Sequence, residues 1–103
     1  MTRSAERAQR FARVEQEVAR EKAAALGRAG ERLEAALAET AALARALAEA
    51  GDGDTRARLA DEYEAARRRA QTARTALLIQ REALGLRQHR VVDQHFPEPP
   101  RLP

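Results

Sequence analysis

Cysteine and tryptophan are absent from this chain of 103 residues. Without cysteine there is neither a disulfide framework nor a thiolate zinc site, and the composition suits a reducing cytoplasm, the location expected from sequence. Aromatic residues make up only 3%, namely Phe11, Tyr63 and Phe96, too few to build the core of a globular enzyme. Proline does not occur before Pro97, so nothing of that kind interrupts a helix over most of the length. Long apolar runs are missing as well. Met1 to Arg20 alternates Arg, Glu and Ala, which supplies neither a secretory apolar region nor a membrane span.

What is abundant is alanine, with 25 residues, followed by leucine, arginine and glutamate, the strongest intrinsic helix formers. Alanine buries little area, so the large apolar inventory is thin: eleven leucines, four valines, Ile79, Met1 and the three aromatics. Net charge is +3, from 19 basic and 16 acidic residues, which does not by itself indicate nucleic acid.

The fold class expected is all-α: a long antiparallel helical hairpin, a two-helix coiled coil, that dimerises into a four-helix bundle and ends in an extended Pro-rich tail. A single domain is assigned to residues 1–96, with helix 1 over about 3–50, a turn at 51–54 and helix 2 over about 55–94, kinked at 85. Residues 97–103 form the tail. Gly51 suits a left-handed helix-closing position and Asp54 suits an N-terminal cap.

A 3-4 spacing reads Leu26, Gly30, Leu33, Leu37, Thr40, Ala44 and Leu47 on the first helix, and Leu59, Tyr63, Ala66, Ala70, Ala73, Leu77, Gln80 and Leu84 on the second. Folding at residue 53 opposes Leu37 to Ala70, Leu33 to Ala73 and Gly30 to Leu77, large against small. Gly27 and Gly30 have two readings, clearance for Leu77, Leu78 and Ile79 or tolerated helix-weakening residues. Before Leu26 the strict heptad breaks, and Phe11, Val14, Val18, Ala25, Ala29 and Leu33 are better fitted by two eleven-residue steps from 11 to 33. Leu43, Leu78, Leu86, Val91 and Val92 lie off the seam, an apolar surplus that a second hairpin would cover.

Arg67, Arg74 and Arg81 recur every seven residues, a stripe beside the seam where charges select partners. Arg74 is placed to meet Glu34, whereas Ala41 and Gly27 face Arg67 and Arg81, which leaves those two for an external carboxylate or phosphate. The solvated alternative pairs Arg67 and Arg68 with Glu64. His89, Asp93 and His95 do not converge from one helical face as a metal site requires, and Phe96 is expected to anchor the tail near Val14 or Val18. Pro97, Pro100 and Pro103 also carry the three-residue spacing of a polyproline ligand.

No phosphate loop, nucleophile motif or paired acids in a pocket is present, so neither an enzyme nor a cofactor or metal site is expected. The functional expectation is a non-enzymatic protein–protein interaction module, a scaffold, adaptor or regulatory subunit acting as a hairpin oligomer. Its partner-binding residues would be Arg67, Arg74, Arg81, Leu84, Leu86, Val91, Val92 and Phe96. The alternative is a small nucleic-acid-associated protein using the basic stretch 67–81. Membrane binding ranks last, because the apolar face of helix 1 is mostly alanine.

Overall fold

The computed structural model of the chain describes residues 2–103. Among them the fold is all-α: α1 runs Arg3–Glu49, α2 Asp54–Ala83 and α3 Arg90–His95. Thr2 caps α1, its hydroxyl oxygen accepting from the Ala5 amide at 3.1 Å, and Glu6 sits in the first turn where the helix dipole favours an acid. With no proline and few glycines after that cap, the helix continues for 47 residues, on the order of 70 Å. The molecule measures 77 × 22 × 15 Å, so α1 sets its length.

Four residues connect α1 to α2. Ala50 closes α1 in an extended conformation, and the left-handed residue of the turn is Gly53, φ 104°, rather than Gly51. Asp54 becomes the first residue of α2 instead of its cap, and Arg56 donates at 2.9 Å to the Leu47 carbonyl, which within α1 accepts only from the Ala50 amide at 3.3 Å.

The two long helices pack as the antiparallel hairpin expected from the seam. Leu33, Thr40 and Leu47 are buried on α1, and Tyr63, Ala66, Ala70 and Leu77 on α2. Thr40 is accommodated because its hydroxyl donates to the Ala36 carbonyl at 2.8 Å. Two expected seam positions, Ala44 and Leu84, are exposed.

The glycines of α1 are not clearance for the Leu77–Ile79 cluster, since a Cβ at Gly27 or Gly30 would meet nothing within 4 Å. Each therefore weakens the helix without a packing return. Gly27→Ala and Gly30→Ala are each expected to stabilise the protein by about 1 kcal/mol, read as a rise in the thermal midpoint by circular dichroism. An unchanged or lowered midpoint would show that the missing methyl matters.

Helix 2 ends earlier than expected. At Gly85, φ 84°, the Gly85 amide donates to the Glu82 carbonyl and the Leu86 amide to the Arg81 carbonyl, both at 2.9 Å. This is the paired closure that terminates a helix, so residue 85 is a stop and a reversal, not a kink. The chain then turns back along the hairpin. Val92 of α3 is buried with Ala29, Leu33 and Leu77, and Phe96 packs against that cluster, not near Val14 or Val18 as anticipated.

Candidate interaction surfaces

Two surfaces emerge, one already occupied by the chain itself and one bare. The occupied surface lies on α2. Residues 86–102 form a strap that descends α2 in the opposite direction. Arg81 donates to the Gln88 carbonyl at 2.8 Å and to His89 Nδ1 at 3.4 Å, while the other ring nitrogen of His89 stands 3.0 Å from Glu82. One heptad further back, Arg74 donates to Asp93 at 3.2 Å and to the Phe96 carbonyl, and lies 3.7 Å from Glu98. At the far end the Tyr63 hydroxyl donates to the Pro100 carbonyl at 2.5 Å, and the Leu102 amide donates to Glu64 at 3.3 Å.

The seven-residue arginine stripe is thus the ladder on which the strap is hung. Arg74, 7% exposed, is the central rung. A guanidinium can be buried there because its planar set of donors is shared among the Asp93 and Glu98 carboxylates and the carbonyl of Phe96, the residue that caps α3. Arg67 supports the lowest rung, holding Glu64 at 3.1 Å. The expectation that Arg67 and Arg81 lack an internal partner is therefore corrected, as is the Arg74–Glu34 pairing. The acids that serve Arg74 come from the strap, which a two-helix register does not include.

Of the remaining arginines between 67 and 81, Arg69 pairs with Glu39 across the hairpin at 2.6 Å. Only Arg68 has no side-chain partner among the described residues. A phosphate-gripping patch would have to be assembled from side chains already engaged.

Glu64 has its pKa held below the ordinary carboxylate value, first by the Leu102 amide and then by Arg67. A depressed folded-state pKa means that this contact stabilises the strap above the unfolded pKa and is lost as pH falls through the folded one. On acidification the Leu102 amide resonance should therefore shift with a midpoint below that of a free glutamate. Glu64→Gln should remove the step, and its persistence would mean that another group anchors the strap end.

Between strap and α1 runs an apolar groove of about 1020 Å³, lined by Leu37, Ala41 and Ala44 of α1, Tyr63, and Phe96 and Pro99 of the strap. Pro97, Pro99 and Pro100 of the tail line this groove. Among the described residues no three His, Cys, Asp or Glu side chains converge to hold a metal, and His89 and Asp93 serve Arg81 and Arg74 instead.

The bare surface is the first part of α1. Every residue from Glu6 to Ala24 is exposed, because α2 stops at Ala83, well short of the beginning of its partner helix. A helical arm of roughly 30 Å is left standing alone. Phe11, Val14 and Val18 are 67%, 53% and 38% exposed on it. They share one face, and Phe11 lies about five turns before the buried Ala29, so the arm continues the stripe that α2 covers lower down. Near the end of α2, Leu84, Leu86 and Val91 are also exposed, whereas Val92 is buried and Phe96 half-buried.

Family models, curated proteins and solved structures were all compared with the chain, and none matched. No helix of the described residues is long and apolar enough to cross a membrane.

The eight residues expected to meet a partner thus divide. Arg67, Arg74, Arg81, Val92 and Phe96 are engaged within the chain, while Leu84, Leu86 and Val91 face outward. The arm is the surface that sequence reasoning misses. Its signal is the i, i+3, i+7 spacing of Phe11, Val14 and Val18, together with a second helix shorter than the first.

Proposed function

We propose that the protein is a non-enzymatic interaction module of the cytoplasm, in which the strapped hairpin is the holder and the projecting arm of α1 is the contact surface. The observation that carries the reading is the uncovered stripe Phe11, Val14 and Val18 on the part of α1 that no other element covers. Most helical stability in proteins comes from packing of an amphipathic face, and the apolar side chains on one face of the arm are stabilised when another helix covers them. Amphipathic helices that dock by such anchors at i, i+3 and i+7 are a recurrent mode of protein recognition. The basic stretch 67–81 supports the nucleic-acid alternative less well, because most of its guanidiniums already have partners.

Phe11→Asp provides the test, since a residue this exposed is not needed for the hairpin to fold. With native-like melting preserved, the variant should lose proteins that the unaltered chain retains from a cell extract, further copies of the chain included. Retention of an identical set by both would sink the reading.

A further inference from the structure

We infer that the arm pairs antiparallel with the arm of a second copy of this chain, an inference that rests on the arm being a contact surface. Three observations converge on that occupant. First, the uncovered stripe runs from the start of α1 to about Ala24, where the end of α2 takes over the covering role. The element that fills this gap is one helix about as long as the gap, and the arm of a second copy has that length by construction. Laid antiparallel, it would meet the end of α2 with its own first turn, so that each α1 is covered along its whole length.

Second, two of the three stripe residues and one pair of charges match in that register. When facing positions have numbers that sum to about 25–27, Phe11 of one copy packs over Val14 of the other, and Val14 over Phe11. Arg10 then flanks Glu17 of the second copy, twice by symmetry. Such a two-fold contact closes on itself and leaves no open edge for further addition.

Third, the fold excludes the parallel arrangement. Its charges would also match, with Arg10 near Glu15 and Glu17 near Lys22 of the second copy, but the two hairpin bodies would then lie at the same end. From Ala25 onward α2 and α3 occupy the side of α1 that carries the stripe, so two bodies brought together stripe to stripe would collide. Association of hairpins side by side has less to offer, because Ile79 is the only exposed large apolar residue between Ala25 and Ala83 among the described residues.

The test is sedimentation equilibrium of the full chain at micromolar concentration with charge-swapped variants. The native chain should be a dimer and Phe11→Asp a monomer. Arg10→Glu and Glu17→Arg should each weaken the dimer about tenfold, since each turns two attractive contacts repulsive. The double variant Arg10→Glu/Glu17→Arg should restore it. A parallel pair predicts the reverse for the double variant, because the acid introduced at position 10 would oppose Glu15 and the base introduced at position 17 would oppose Lys22.

A monomeric native chain, or a double variant as weak as the single ones, overturns the inference. If the native chain is monomeric while Phe11→Asp still loses proteins from extract, self-pairing fails and the interaction reading stands. If Phe11→Asp alters neither measurement, both fail together.

Discussion

Leu33→Asp is expected to abolish the cooperative thermal transition. Leu33 is fully buried, 0% exposed, where α1, α2 and the strap meet, against Ala29, Leu77 and Val92. Truncating a buried leucine costs about 2–5 kcal/mol, and a carboxylate with no partner in the same site adds several more. A domain of this size has about 5–15 kcal/mol in total, and an alanine-rich core lies toward the lower end. Circular dichroism should show a broad, non-cooperative loss of helix in place of a transition. An unchanged transition would mean that the hairpin core is elsewhere. Phe11→Asp is the control, since it makes the same kind of change on the same helix at an exposed position.

The second large effect is on the strap. Arg74→Met retains the apolar stem while removing the guanidinium that Asp93, the Phe96 carbonyl and Glu98 share. Asp93 and Glu98 are mostly exposed and regain water when released, so the loss is smaller than for a fully buried pair. It is on the order of 2–3 kcal/mol, which raises the open population of the strap roughly 30- to 150-fold. Amide hydrogen exchange should accelerate by that factor from Val92 to Phe96, whose amides are hydrogen-bonded, with the amides around Leu33 and Ala70 unaffected. Arg74→Lys should be intermediate, because an ammonium group does not span all three acceptors. Equal exchange in the Met variant and the native chain would show that Val92 and Phe96 hold the strap unaided.

The hairpin is legible in the sequence because its determinants are local or periodic. An uninterrupted run of helix formers, a glycine-rich turn at 51–54 and a 3-4 seam each act within a few residues or repeat regularly, and each appears in the structure. The strap is not legible, because its determinants act at a distance. Gly85 followed by an apolar residue is compatible with a kink or a stop, and what decides is whether the chain beyond it has somewhere to go. That destination is set by Arg74 meeting Asp93 and Glu98 and by Val92 meeting Leu33, contacts that no helical period encodes. A hint lies in the charges. The arginines at 74 and 81 have few acids on their own helix, and the acids at 93 and 98 lie in the segment that follows. For the same reason a helical period alone turns Arg67, Arg74 and Arg81 toward an outside partner, when the surface they face is this chain's own C-terminal segment.

Tyr63 is the only tyrosine in a chain without tryptophan, and it sits 2% exposed beneath the strap with its hydroxyl on Pro100. The near-ultraviolet spectrum of the protein therefore originates almost wholly at that one junction. Whatever lifts the last residues away from α2 should alter the tyrosine emission, so the native chain carries its own optical probe of whether its C-terminal end is docked.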